Sequence, residues 1–501
     1  MKRNPKQLTI GEYDLLVIGG GINGAAVANM AAQNGLKVAL VDQGDFASGT
    51  SSKSTKLIHG GLRYLKNLEW GLVKSSLQER AIQLQKAPHL VKPIRFIMPV
   101  YKTDPKPLWY YRAGMWLYDL LAGKNGICKH KVLSADDVKR AVPKLDEEGL
   151  IGGIAYYDAQ MDDTRLCLAN IRQAEKHGAH VANYLEVRSF MKENGRAVGV
   201  KVFDRRSQEF LTIRAQQIVA AVGPWSNILA VKENRQSVAK VRLTKGVHIV
   251  YKGELTKQAV VMPTHSDRRI LFFIPFHGNT LIGTTDTDYD DQPENVQVKK
   301  EDVEYIFSEA ARIFKEHQFS QEKIITSFAG LRPLVQSTGK PSAVSRDHTI
   351  EQSYSKVIYV YGGKYTTYRK IAEDVMVVLS AKKNMDTMEN FQVYGGGRIK
   401  EGVETAVREF GLPRETIEYL MDMYGTAYRE VLSYLKNDKK NMEPICDCSL
   451  TIKAQILYGL EKEMAVTEED LVSRRLMLQW NECKSQNCRK AIHQMMSEIK
   501  K

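Results

Sequence analysis

An α/β fold built around a parallel sheet is what this sequence predicts, on three observations. Residues 14–42 read strand, glycine turn, helix, strand. Strand-like and helix-like pieces then alternate from residue 150 to residue 210. A late strand, Val357 to Tyr361, stops at Gly362-Gly363-Lys364 and gives way to a helix. Short apolar runs that end in glycine and lead into helices suit strands covered on both faces.

The first unit is the most explicit. Leu15 to Ile18 reads as a buried strand that runs into Gly19-x-Gly21-x-x-Gly24. Gly19 permits the tight turn, Gly21 lets backbone approach a pyrophosphate, and Gly24 lets helix pack on sheet. A helix over Ala25 to Asn34 presents its N-terminal N–H groups and partial positive charge to phosphate. The second strand, Lys37 to Val41, ends in Asp42, an acceptor for an adenosine ribose. Strand, turn, helix, strand and acid in that order predict a bound dinucleotide.

Next comes a polar loop, Gly49-Thr-Ser-Ser-Lys-Ser-Thr-Lys56, whose Thr50, Ser51 and Ser52 hydroxyls suit a phosphate or a ribityl chain. A helix is expected from Trp70 to Gln85. Val198 to Phe203 and Phe210 to Arg214 read as a strand pair, and Gln217 to Val222 as a separate strand ending in Gly223-Pro-Trp225. Val247 to Tyr251, Ile270 to Pro275 and Thr280 to Gly283 suggest an antiparallel sheet covering a substrate. After Val357 to Tyr361, Thr366 or Thr367 is expected to cap a helix reaching Ser380. That helix start suits negative charge on a reduced ring system. Gly395-Gly-Gly397 reads as a linker to a helical C-terminal domain over 398–501.

Composition narrows the class. The 501 residues suit about two to four domains, and 43% of them are hydrophobic, enough for a sizeable core. No apolar run approaches the ~18 residues of a membrane-spanning helix. Met1 to Tyr13 is basic and polar, so no signal peptide is expected. The expected location is the cytoplasm, at the cytoplasmic face of a membrane. A net charge of +14 favours an anionic partner. No basic-aromatic module stands out, so nucleic acid is not the expected one.

Cations recur beside glycine turns: Arg63, Arg332, Arg346, Lys364 and Arg369. Arginine forks bind a phosphate dianion bidentately. His59 and His248 lie among glycines, and an imidazole can take the proton from a substrate hydroxyl.

Several motifs occur together and in order: Ile18-Gly-Gly-Gly-Ile-Asn-Gly24, Thr50-Ser-Ser52, Lys56-Leu-Ile-His-Gly-Gly-Leu-Arg-Tyr64, Gly223-Pro-Trp225, Lys245-Gly-x-His248, Gly283-Thr-Thr-Asp286, Gly330-x-Arg-Pro333, Ser345-Arg-Asp347 and Gly362-Gly-Lys-x-Thr-Thr-Tyr-Arg369. Over residues 12–395 the chain resembles the FAD-dependent, respiratory sn-glycerol-3-phosphate dehydrogenases. The resemblance implies a glutathione-reductase-like, Rossmann-type FAD-binding domain with a mixed-sheet substrate domain. FAD-binding segments are expected at about 12–95, 150–230 and 345–390, and substrate-domain segments at about 96–149 and 231–344. It implies oxidation of glycerol 3-phosphate to dihydroxyacetone phosphate, with electrons passed to a membrane quinone. Gly19, Gly21, Gly24, Asp42, Thr50, Ser51, Ser52, Gly223, Trp225, Gly363, Lys364, Thr366 and Thr367 fall to the cofactor. Arg63, Tyr64, Arg332, Arg346 and Lys364 fall to the substrate phosphate, with Arg332 or Lys364 alternatively polarising the reacting hydroxyl. His248 is the first candidate base and His59 the second. An oxidase using O2, or an amine or amino-acid oxidase of the same fold, is the alternative activity, and a homo-oligomer is left open.

Two further stretches stand apart. Residues 102–124 are dense in aromatic and aliphatic side chains between flanking lysines, the pattern of a helix lying on an anionic membrane surface, with Trp109 and Trp116 at headgroup level. Cys446-x-Cys448 and Cys483-x4-Cys488 are four thiols able to hold zinc or a 2Fe–2S cluster. The spacing is similar to ferredoxin-like modules fused to anaerobic glycerol-3-phosphate dehydrogenases. Those modules carry glycines around their last cysteines, and Asn481 to Cys488 has none.

Overall fold

The computed structural model describes residues 1–62, 69–234, 241–267, 269–335, 347–379, 391–436, 438–481, 483 and 486–499. Among the described residues, Glu12–Ile18 lies in an eight-stranded sheet whose main order is His348–Gln352, Ile358–Gly362, Phe210–Ala220, Glu12–Ile18, Val38–Val41, His180–Ala182. The four central strands are parallel. Leu15, Leu16 and Val17 are fully buried because helices and loops cover both faces of the sheet. Helix Ile22–Gln33 follows the glycine turn, and a Cβ on Gly24 would lie 1.9 Å from the Gly19 carbonyl oxygen, so only glycine lets the helix start so close to the strand.

Phe210–Ala220 is one continuous strand, where the sequence suggested two. Its first residues pair antiparallel with Arg196–Asp204, and the strand then runs parallel to Glu12–Ile18. The polar residues that looked like a break, Arg214 and Gln216, alternate with buried Ile213 and Ala215, so the strand pattern passes through them.

The second sheet has ten strands among the described residues, with Val241–Tyr251 flanked by Asn279–Gly283 and Thr287–Tyr289 along one side and by Ile324–Val335 along the other. It also contains Val91–Tyr101 and Leu150–Met161, paired antiparallel from Val91↔Met161 to Tyr101↔Leu150. The segment boundaries expected at residues 95 and 150 are therefore corrected: 95 cuts a strand, and 150–161 belongs with the second sheet. Pro93 and Pro99 in one strand and Gly152-Gly153 in the other weaken the strand pattern. Gly153 is needed there, since a Cβ would sit 2.8 Å from the Met98 carbonyl oxygen.

Beyond Gly397 the chain is helical, with Val403–Phe410, Arg414–Tyr424, Lys453–Lys462 and Gln486–Ile499 as its main elements. It is tied to the first sheet by buried ion pairs. Arg475 bonds both oxygens of Asp45 at 2.6 and 2.8 Å, and Arg165 on Asp163–Lys176 reaches Glu463 at 2.7 Å. No helix among the described residues is long and apolar enough to cross a membrane.

Candidate active site

A cavity of about 580 Å³ runs from the glycine turn to the second sheet. Its nucleotide end is built as the βαβ pattern requires. Gly19 has φ +109°, and Gly21 stands at the N-cap of helix Ile22–Gln33, bringing no side chain to the helix start. Ser51 Oγ accepts the Ile22 N–H at 2.9 Å. The Asp42 carboxylate accepts the N–H groups of Gly20 (2.6 Å) and Gly44 (2.8 Å), while burial pushes its pKa up to about 6. Further along the wall, Glu186 is clasped by Arg205 (2.8 Å) and Lys232 (3.0 Å). Trp225 Nε1 donates to Glu294 at 2.5 Å.

The other end is set by two strands. His248 on Val241–Tyr251 lies opposite Phe328 on Ile324–Val335 and opposite Gly283 on Asn279–Gly283. Its ring stacks on Phe328 at 5.0 Å, and a Cβ on Gly283 would lie 2.4 Å from it, so the glycine makes room for the imidazole. Nε2 lies 3.0 Å from Thr55 Oγ1, and Nδ1 is buried without a hydrogen-bond partner. Burial first, then the charges of Arg332 and Lys56, hold the ring well below the usual histidine pKa, so it is neutral. Two residues along the same face, Gly246 leaves space for Arg332. The guanidinium donates to Thr284 Oγ1 (2.8 Å), the Thr285 carbonyl (3.2 Å) and Asp286 (3.1 Å).

Gly19, Gly21, Asp42, Thr50, Ser51, Gly223, Trp225, His59, His248, Arg332, Gly363, Lys364 and Thr366 all line this cavity. Lys364 Nζ donates to Ser76 Oγ at 2.9 Å. Gly24, Ser52 and Thr367 are off the wall. Gly24 serves packing, the Ser52 hydroxyl turns back to the Gly49 carbonyl (3.4 Å), and that of Thr367 turns back to the Lys364 carbonyl (3.3 Å). Thr50 Oγ1 donates to the Leu331 carbonyl at 2.6 Å, joining the serine loop to the Arg332 strand. Neither threonine caps the following helix: the two stand in a 3-10 turn, and Thr366 Oγ1 is engaged with the backbone of His59. Arg369 leaves the cation group, because it is buried in ion pairs with Glu79 and Glu373. Arg63, Tyr64 and Arg346 lie outside the described residues.

Sequence reading gave no role to two residues that the cavity brings forward. Lys53 lines it with no ion-pair partner among the described residues, and burial lowers its pKa. Asn23 lines it too, with Oδ1 buried and unpartnered. Both stood inside quoted motifs, but nothing in a motif says which way a side chain faces.

The residues present fit FAD. A helix start free of side chains, an acid at the end of the second strand and an elongated cavity are what a flavin dinucleotide needs, and the orphaned Asn23 Oδ1 is a free acceptor on that wall.

Away from the cavity, the four cysteines converge, with Sγ–Sγ distances of 3.1 Å (Cys446–Cys448), 3.0 Å (Cys448–Cys483), 3.4 Å (Cys448–Cys488) and 3.7 Å (Cys483–Cys488). Helix Leu108–Ala122 buries Met115 and Tyr118 and exposes Trp109 (68%), Trp116 (63%) and Leu120 (61%).

Fold and cavity together define a flavin-type oxidoreductase architecture, and comparison with known proteins agrees. The model of the FAD-dependent oxidoreductase family matches residues 14–368, and that of the C-terminal domain of alpha-glycerophosphate oxidase matches residues 387–501. An aerobic glycerol-3-phosphate dehydrogenase of Staphylococcus aureus is 34% identical over 94% of this chain and 87% of its own. The structure of a Bacillus halodurans glycerol-3-phosphate dehydrogenase complexed with FAD superposes with a TM-score of 0.82 at 31% identity, covering 98% of this chain and 92% of that one. An FAD-bound L-alpha-glycerophosphate oxidase of Mycoplasma pneumoniae, 19% identical with a TM-score of 0.60 over 76% of this chain and 98% of its own, shares the fold. The chain belongs to the FAD-dependent glycerol-3-phosphate dehydrogenase family.

Proposed function

We propose that this protein oxidises sn-glycerol 3-phosphate to dihydroxyacetone phosphate with FAD as its redox cofactor, and that the electrons pass on to a membrane quinone. The observation that carries the reading is the meeting of a neutral histidine and several cations in the cavity that begins at the glycine turn. FAD, when bound, supplies the acceptor for two electrons. Gly19, Gly21 and the start of Ile22–Gln33 would hold its pyrophosphate, Asp42 its ribose, and the Gly363–Thr366 turn its ring end.

The chain's own residues do the remaining work. His248 takes the proton of the C2 hydroxyl while the C2–H bond gives up its electron pair. Being neutral, the ring accepts that proton without first losing one. Arg332, oriented by Asp286 and Thr284, shares the phosphate and the reacting hydroxyl with Lys364, and Lys53 adds a third positive charge. Arg63, Tyr64 and Arg346 join this group on the strength of the motif match, and His59 is the second candidate base.

The exposed stripe Trp109, Trp116 and Leu120, with Lys102, Lys106 and Lys124 nearby in sequence, supports docking on an anionic lipid surface at the cytoplasmic face, where a quinone is within reach. The four cysteines add a metal, zinc or iron–sulfur, to this reading.

The test is anaerobic mixing of the flavin-loaded protein with sn-glycerol 3-phosphate, glycerol or an amino acid. Rapid bleaching of the flavin by glycerol 3-phosphate alone is expected. A flavin bleached by an amino acid and not by glycerol 3-phosphate overturns the substrate. Turnover with a soluble quinone analogue far above peroxide formation in air is expected for the onward step, and the reverse makes the protein an oxidase.

A further inference from the structure

We infer that the four C-terminal cysteines hold a single zinc ion, and that this ion fixes the segment carrying Trp480 against the strand that faces His248. The inference rests on the metal reading above and narrows it.

The narrowing comes from sulfur spacing. A zinc–sulfur bond of ~2.3 Å gives a tetrahedron with edges of roughly 3.8 Å. The four Sγ atoms all lie within 4.8 Å of one another, and four of the six pairs are at 3.0–3.7 Å. A two-iron cluster divides its cysteines between two irons and holds the two pairs further apart than one ion does. Here no such division exists: Cys448 is close to both Cys446 and the Cys483–Cys488 pair. One four-thiolate ion with no open position is a structural zinc site.

The backbone is shaped for it. Cys446 and Cys448 sit in a loop pinched by the Ile445 N–H to Thr451 carbonyl bond (3.0 Å) and by the Pro444↔Ile452 bridge. Cys488 lies in the first turn of helix Gln486–Ile499, and the Gln486 N–H donates to the Cys483 carbonyl at 3.0 Å. Asn481 Nδ2 approaches Cys448 Sγ at 3.7 Å, a donor suited to a ligating thiolate. Buried Ile445, Leu478 and Ile492 close the surroundings.

The ion would thus join two segments whose nearest cysteines are Cys448 and Cys483. Three residues before Cys483, the Trp480 ring packs on Phe328 at 5.7 Å and on Phe276 at 5.4 Å, and Lys56 Nζ lies 5.3 Å from its centre. Phe328 is the residue on which His248 stacks. Zinc is therefore placed to hold a wall behind the catalytic histidine, as a positioning element without contact to substrate.

The experiment is elemental analysis of the full-length flavoprotein, purified anaerobically without chelator. About one zinc per chain is expected, without acid-labile sulfide, and a mercurial should release it as the thiols titrate. Cys448→Ser and Cys483→Ser should lose the zinc while Cys128→Ser keeps it. Iron with equimolar labile sulfide overturns zinc and leaves the metal reading standing. Absence of any metal overturns both. For the link to Trp480, zinc release should change tryptophan emission in the wild type and much less in Trp480→Phe. An equal change in both overturns that link.

Discussion

Gly246→Ala tests whether Arg332 meets the substrate phosphate, and it does so without removing a charge. The backbone at Gly246 is not left-handed, so alanine costs the strand little. The added Cβ, however, would lie 2.2 Å from Arg332 Nη2, 2.6 Å from Cζ and 2.7 Å from Nη1. Ordinary contact needs about 3.5 Å, so the guanidinium must retreat by roughly 1.3 Å. Its bonds to Thr284 (2.8 Å) and Asp286 (3.1 Å) cannot survive that shift in their present form. A displacement of this size costs about 100-fold in rate, or about 2.7 kcal/mol of transition-state stabilisation. The assay is kcat/KM of the flavin-loaded variant with glycerol 3-phosphate and with glycerol. The expected result is a loss of about 100-fold for the phosphorylated substrate, with the slow turnover of glycerol little changed. Equal losses for both would move Arg332 to the reacting hydroxyl. Unchanged kcat/KM for glycerol 3-phosphate, with flavin content intact, would refute the placement altogether.

Other perturbations probe the frame around the site. Burial and the nearby charges of Arg165 and Lys92 lower His89 to about 3, so below pH ~6.5 the unfolded chain binds a proton the folded one refuses. Its contribution is complete above pH ~6.5 and falls by about 1.4 kcal/mol per pH unit on acidification, and His89→Gln should flatten the denaturation midpoint between pH 7 and 5 relative to wild type. Asp45→Asn leaves Arg475 buried beside a neutral amide, and chemical denaturation should show a loss of about 3–5 kcal/mol; an unchanged midpoint would mean that the pair does not clamp the C-terminal domain. Trp109→Gln with Trp116→Gln should abolish sedimentation with anionic vesicles while leaving flavin reduction by substrate intact, and undiminished sedimentation would move the docking surface elsewhere.

The parts of this molecule that were legible in the sequence are those whose signal is local. The βαβ unit declared itself because Gly19, Gly21 and Gly24 each answer a steric demand within a few residues. Corrections fell where pairing partners are distant. Val91–Tyr101 and Leu150–Met161 stabilise each other across the chain, and neither reads clearly alone, given the prolines of one and the glycines of the other. The same limit explains Lys53 and Arg369. Both are cations beside a glycine-rich motif, yet one lines the cavity and the other is consumed by Glu79 and Glu373. The i,i+4 partner Glu373 is readable from spacing, but Glu79 comes from the distant helix Trp70–Lys86, and no spacing rule reports that.

The C-terminal helices hold both ends of the cavity, which gives their attachment a functional sense. At the glycine-turn end, Arg474 and Arg475 grip Asp45, three residues after Asp42. At the substrate end, Trp480, five residues after Arg475, packs on Phe328 behind His248. A short run, 474–480, thus touches the loop after the second strand of one sheet and the strand facing His248 in the other. Other contacts join the two sheets as well, among them the Thr50 to Leu331 hydrogen bond, the Asn227 to Val241 pair and the packing of Val241 against Tyr359 and Tyr361. In the proposed reaction, transfer between a cofactor on one sheet and an alcohol on the other would depend steeply on their separation. Under that proposal the buried ion pairs and aromatic rings of 474–480 would help set this separation, and a metal just beyond Trp480 would fix the far end.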